Sequence, residues 1–233
     1  PNTTGVGIAI EKLFLESDFP NGVLNNIIVS QKSVPEMSKK ILESNMISAV
    51  TFTGSSSAGA KVTSIAGENL KKSVMALGGS DPYIIFKDAD LDAAVEACVT
   101  GRLINSGQSC IAAKRFIVDS EIHDEFLKKF ANLMQNKKLG NPKDESVFIG
   151  PLARKDLRIN LHSQVERSIE LGAKNILGCS IPEGKGFYYP VSILDDVKPG
   201  MPAFDEELFG PVASVIGFKN FEEAISLANA SIY

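Results

Sequence analysis

Between Leu24 and Leu77 short apolar runs alternate with amphipathic stretches, and this alternation limits the folds open to the chain. "LNNIIV" (24–29), "ISAVTFT" (47–53) and "KSVMAL" (72–77) read as strands. Val34 to Glu43 and Ser56 to Leu70 between them read as helices. Parallel strands need crossover connections, and a helix is the usual one, so β-α-β-α-β predicts a parallel sheet covered by helices. Ahead of it, Thr4 to Ser17 has helical spacing through Val6, Ile8, Ile10, Leu13 and Phe14. With 233 residues, one large or two small domains are expected, and a chain of this size buries roughly 70–75% of its unfolded surface without disulfides.

The second part repeats the alternation with longer helices. Tyr83 to Phe86 reads as a strand, "DADLDAAVEACVTGRLIN" as a helix ended by Gly107, and Lys114 to Val118 as a strand. Ile122 to Asn136 and Arg154 to Leu171 follow as helices, the latter closed by Gly172. Strands near Ile176, Val191 and Val212 to Phe218, then a helix over Phe221 to Ala228, complete an α/β pattern. Both ends, "PNTTG" and "LANASIY", lack turn or tail signals and read as cut. A sheet so opened is expected to associate through its edge.

Charge and composition exclude several classes. Net charge is −4 and no basic stripe stands out, which argues against a nucleic-acid partner. No apolar run reaches the roughly 18 residues of a membrane helix, and no signal peptide is read at the start. Cys98, Cys110 and Cys179 are odd in number and scattered, which suits reduced thiols and a cytoplasmic location. His123 and His162 are the two histidines, and no Cys/His cluster suggests a metal.

Three stretches could carry chemistry. "TFTGSSSAG" (51–59) opens a helix at a strand end, which suits either a phosphate-binding turn or a plain capped turn. Its Lys61 falls one position too late for a P-loop. In "NSGQSCIAAKRF" (105–116), Cys110 follows a glycine turn and reads as a nucleophile or as a buried structural thiol. Cys98, mid-helix among Ala and Val, reads as structural, and Cys179 as a loop residue without a partner. The two histidines lie on helices with no orienting group in sequence, so a Cys–His dyad ranks behind the other readings of Cys110. "FDEELFGPV" (204–212) reads as a solvated acidic loop or as an acid for ribose hydroxyls.

Together and in this order, "FTGS" (52–55), "LGGSDP" (77–82), "GQSC" (107–110) and "EELFGP" (206–211) resemble the aldehyde dehydrogenase superfamily. The likeness runs from end to end and is nearest the short succinate-semialdehyde dehydrogenase type. It implies part of a Rossmann-like parallel-sheet cofactor domain over residues 1–78, followed by an incomplete α/β catalytic domain over 79–233. Cys110 is then the nucleophile. Phe52, Thr53, Gly54, Ser55, Leu77 and Gly78 line the NAD or NADP site, Glu207 holds the nicotinamide ribose, and Phe209 packs beside it. The implied reaction takes a small-molecule aldehyde, succinic semialdehyde first among candidates, to an acid through a thiohemiacetal and a thioester. A homo-oligomer is implied for the full-length enzyme.

Three departures qualify the likeness. The family places a general-base glutamate where this chain has Ala76, and some succinate-semialdehyde enzymes place a carboxylate-binding arginine where it has Ile104. The family's front portion, with the adenosine-ribose lysine and the oxyanion-hole asparagine, has no counterpart here. A non-catalytic dinucleotide-binding or structural member is the alternative. A cysteine hydrolase or acyl transferase ranks behind both, having no use for Ser55 or Glu207.

Overall fold

The computed structural model describes residues 3–233, and the chain divides into two compact units, Pro1–Leu77 and Gly78–Tyr233. The first contains α1 (Thr4–Leu15), α2 (Val34–Glu43), β1 (Ala49–Thr53), α3 (Ser56–Glu68) and β2 (Lys72–Ala76). β1 and β2 pair in parallel from Ala49↔Lys72 to Thr53↔Ala76, with α3 as the crossover. Ser55 caps α3, its Oγ accepting the Ala58 amide at 3.4 Å, as expected of serine at that position. The Lys71 ammonium ties the end of α2 to the approach of β1, donating to the Ser44 and Ile47 carbonyls.

This unit has little core. Leu42 and Ala66 are its buried hydrophobic side chains among the described residues, while Val6, Leu13, Leu15, Ile27 and Ile28 are more than half exposed. The strand expected over Leu24 to Val29 does not form: those residues lie outside any ladder. The Asn26 amide donates to the Glu11 carboxylate of α1 at 3.0 Å instead of to a neighbouring strand. Asn25 and Asn26 interrupt the apolar run, and asparagine is depleted in strands.

The second unit is built on β3 (Pro82–Ile85), β4 (Arg115–Asp119), β5 (Lys174–Leu177), β6 (Ser192–Asp195) and β7 (Val212–Phe218), in the spatial order β3-β4-β7-β6-β5. All neighbours are parallel except β5, which runs antiparallel to β6. Every residue of β4 is buried, as a parallel strand covered on both faces requires. On one face lie α4 (Leu91–Leu103) and α5 (His123–Gln135), packing Val95, Val99, Leu103, Phe126 and Phe130 on Phe116 and Val118. On the other lie α6 (Lys155–Glu170), the short α7 (Pro202–Asp205) and α8 (Phe221–Asn229), with Leu161, Val165, Phe204 and Ala224 on Ile117 and Ile216. The stretch from Phe204, read as a solvated loop, is in part core. α7 buries Phe204 completely, and its ring lies under the Arg115 guanidinium at 5.1 Å. No helix among the described residues is long and apolar enough to cross a membrane.

Candidate active site

In the second unit the Cys110 loop starts where α4 ends. Asn105, Ser106 and Gly107 take consecutive left-handed conformations, with φ of 49°, 57° and 73°. Two non-glycine residues in that region cost energy and persist only where the surroundings impose them. Here the surroundings are explicit. Ser106 Oγ accepts the Gly150 amide at 3.0 Å and Gln108 Oε1 accepts the Ala153 amide at 2.8 Å. A Cβ on Gly107 would run into the Gly210 carbonyl, so the "GQSC" and "EELFGP" segments touch backbone to backbone.

The same segments meet "LGGSDP". The Gly79 amide donates to Glu207 Oε1 at 3.3 Å. A Cβ on Gly78 would overlap Glu207 Oε2, and one on Gly79 would lie 2.9 Å from the Cys110 carbonyl oxygen. The paired glycines therefore leave room for a carboxylate on one side and the Cys110 loop on the other, close approaches that only a residue without Cβ permits. Cys110 and Phe209 are half-buried, and Glu207 keeps 19% of its side chain exposed.

Sequence reasoning missed two buried cations in this cluster. The side chain of Lys114 is 1% exposed and lies 3.7 Å from Glu207 Oε1. Arg102 is fully buried and donates through Nη2 to the carbonyls of Gly107, at 2.7 Å, and Leu208, at 3.4 Å. Burial pulls both groups below their ordinary pKa values, and the Glu207 charge opposes it in each case. The available signal was position: Lys114 stands between Ala112-Ala113 and the apolar run of β4, where a solvated lysine is out of place.

In the first unit, β1 and β2 bring "FTGS" beside Ala76. The Gly54 amide donates to the Ala76 carbonyl at 3.1 Å, and Leu77 packs where a Cβ on Gly59 would stand. Phe52 is half-buried, whereas Thr53, Gly54, Ser55 and Ala76 are exposed.

The other thiols differ from Cys110. Cys98 lies in the core, and burial pushes it up to about 12. Cys179 was expected to have no partner. It is buried with φ 64°, its amide donates to Ser192 Oγ at 2.8 Å, and burial pushes its thiol up to about 11. The histidines also have orienting groups, contrary to expectation. His123 Nε2 lies 2.8 Å from Asp195 Oδ1, and His162 Nδ1 lies 3.2 Å from the Tyr189 hydroxyl.

Comparison with known proteins agrees along the whole chain. The aldehyde dehydrogenase family model matches residues 1–233. The succinate semialdehyde dehydrogenase [NAD(P)+] Sad of Escherichia coli K12 is 45% identical over 231 residues, covering 99% of this chain and 49% of that protein. The succinate-semialdehyde dehydrogenase [NADP(+)] 1 of Mycobacterium bovis is 40% identical over 232 residues, covering 100% and 50%. Among solved structures, lactaldehyde dehydrogenase from Escherichia coli superimposes with a TM-score of 0.93 at 39% identity, over 98% of this chain and 48% of that one. Betaine aldehyde dehydrogenase from Staphylococcus aureus, solved with NAD+, gives 0.90 at 31% identity over 97% and 45%. The chain thus spans about half the length of the relatives it matches, and it belongs to the aldehyde dehydrogenase family.

Proposed function

We propose that this chain is a segment of an NAD(P)-dependent aldehyde dehydrogenase in which Cys110 is the nucleophile. The observation that carries the reading is the meeting at Gly78-Gly79 of the Glu207 carboxylate and the Cys110 loop. The cofactor fits the residues present. A carboxylate accepts ribose hydroxyls well, and Gly78 leaves the space in which Glu207 Oε2 lies. Glu207 and Phe209 would hold the nicotinamide end. Phe52, Thr53, Gly54, Ser55, Leu77 and Gly78 would line the rest, with the amides at the start of α3 suited to a pyrophosphate.

The Cys110 thiolate attacks the aldehyde carbon, forming a C–S bond and an oxyanion, for which the Cys110 amide is a backbone donor. When bound, NAD(P)+ supplies the acceptor for the hydride leaving that carbon. A thioester remains on Cys110. Water cleaves it, the acid departs, and the sulfur is regenerated as thiolate. The net change is aldehyde plus NAD(P)+ plus water to acid plus NAD(P)H and a proton. Water attack profits from a general base, typically by about 10²–10⁴-fold. Ala76, the position of that base by resemblance, offers a methyl group, so this segment turns over poorly as it stands.

Succinic semialdehyde is the first candidate substrate, supported by the names of the two relatives. Ile104, 48% exposed, offers no charge to a substrate carboxylate. A cytoplasmic homo-oligomer is part of the same proposal. Three free thiols suit a reducing compartment, and the apolar exposure of α1 suits association. Ala76 also favours a second reading, a family member that binds dinucleotide without turnover.

Rapid mixing of a full-length enzyme carrying this segment with NAD(P)+ and aldehyde tests the first reading. It predicts up to one reduced cofactor per site and an acyl adduct on Cys110 by intact mass, both lost in Cys110→Ala. Cofactor binding with no adduct would favour the second reading. Comparing succinic semialdehyde with butanal as substrates tests the carboxylate.

A further inference from the structure

The Lys114 side chain turns back on the segment that precedes it. Nζ donates to the carbonyl oxygens of Ser109 at 3.4 Å, Cys110 at 3.1 Å and Ala112 at 3.1 Å. An ammonium has three donors, and the carbonyls of the nucleophile loop take all three. Its Cα end is fixed as firmly. The Lys114 amide donates to the Asp81 carbonyl at 3.0 Å, and its own carbonyl accepts from Ser214 at 3.1 Å. The loop from Ser109 to Ala112 is therefore wrapped around one buried cation anchored to the sheet. Burying an ammonium is costly unless it is bonded and paired, and its counter-ion here is Glu207 at 3.7 Å.

We propose that Lys114 is the positioning residue of Cys110: it holds the nucleophile loop by its carbonyls and sets a positive charge against the Cys110 backbone, with Glu207 as the counter-ion that moderates it. The inference rests on the reading of Cys110 as nucleophile. The charged and titratable groups that face Lys114 are Arg102 of α4, Glu207 before β7, Asp81 before β3 and Cys110 itself. Two of these three fixed charges other than Lys114 are negative, and Glu207 is the one in direct reach of Nζ. Neutralising Glu207 leaves the ammonium less compensated and favours thiolate. Removing Lys114 disfavours it. A residue that merely filled space would move neither.

The test is the pH profile of iodoacetamide alkylation at Cys110 in a full-length enzyme carrying this segment, resolved by peptide mass so that buried Cys98 and Cys179 serve as internal controls. Lys114→Met should raise the midpoint by about half to one pH unit and slow the reaction near neutrality about three- to tenfold, the scale expected from loss of a nearby opposite charge. Glu207→Gln should lower the midpoint. Lys114→Arg should keep the charge yet restore the profile only in part, since a planar fork does not reproduce three convergent bonds from one nitrogen. If Lys114→Met unfolds, Cys98 and Cys179 will react as well, and the Arg and Gln variants decide. Unchanged midpoints in the folded variants overturn the inference while leaving Cys110 as nucleophile. A wild-type Cys110 that iodoacetamide fails to reach in the folded protein, as it fails to reach buried Cys98 and Cys179, would instead count against the reading of Cys110, whether or not the variants shift.

Discussion

The Gly54 amide donates to the Ala76 carbonyl at 3.1 Å, so the methyl group of Ala76 stands at the strand end beside the turn that opens α3. Ala76 is exposed and ends its ladder opposite Thr53, so a longer side chain there displaces nothing. In a full-length enzyme carrying this segment, Ala76→Glu should raise steady-state aldehyde oxidation by roughly 10²-fold or more, the usual effect of a general base. Its melting temperature should be nearly unchanged. Turnover is followed by cofactor absorbance. No gain in rate would mean that Ala76 does not occupy the base position.

Gly107 is held at φ 73° with the Gly210 backbone against its Cα. Gly107→Ala should cost on the order of 3 kcal/mol, from a left-handed alanine and a backbone collision together. Gly184, at φ 108° with nothing within 4 Å of a built Cβ, meets the conformational penalty without the collision. Gly184→Ala should therefore lose less. Urea midpoints of the two variants against wild type measure the difference, and equal losses would show that the Gly107–Gly210 contact yields easily.

The alternation of strands and helices was legible because apolar periodicity reports burial directly. β4, α4, α5 and β7 lie within a few residues of where the pattern put them. Leu24 to Val29 reads as a strand by its apolar residues alone, but Asn25 and Asn26 interrupt that run, and asparagine is depleted in strands. Glycines at 78, 79 and 107 were legible as turns, but not as points where one backbone passes another, since their neighbours are distant in sequence. Lys114 and Arg102 were illegible for a different reason. Charged residues are nearly always solvated, and the hydrogen-bond acceptors of both are backbone carbonyls, which leave no trace in side-chain patterns. The His123–Asp195 pair joins residues 72 positions apart, and nothing local to either one signals the other.

Gly78 supplies a test of the proposed ribose carboxylate. A Cβ there overlaps Glu207 Oε2 and should pull the carboxylate away from the Gly79 amide. In the full-length enzyme, Gly78→Ala should weaken cofactor binding about tenfold, equivalent to loss of one charge-assisted hydrogen bond. Titration by the fluorescence of reduced cofactor reads this. Glu207→Gln should weaken binding to a similar degree, and the double variant should add little, because both changes act on one contact. Additive losses would place Gly78 and Glu207 in separate roles.

The His123–Asp195 pair joins the start of α5 to the end of β6 at 2.8 Å, with 15% and 9% of the two side chains exposed. The hydrogen bond to Asp195 raises the His123 pKa above its ordinary value, and burial only partly opposes it. Burial pushes the Asp195 carboxyl up, but the His123 hydrogen bond and neighbouring charges leave it below the usual range, so it stays ionised in mild acid. The sign follows from linkage. A histidine whose folded pKa exceeds the unfolded value, about 6.5, contributes its full stability below that value and loses it as pH rises through the folded pKa. The melting-temperature gap between wild type and His123→Asn should therefore be widest near about pH 5.5 and narrow by about pH 8.5. Calorimetry at the two pH values reads the gap. A gap that widens toward alkaline pH would mean that the imidazole is buried neutral, and that its bond to Asp195 does not depend on protonation.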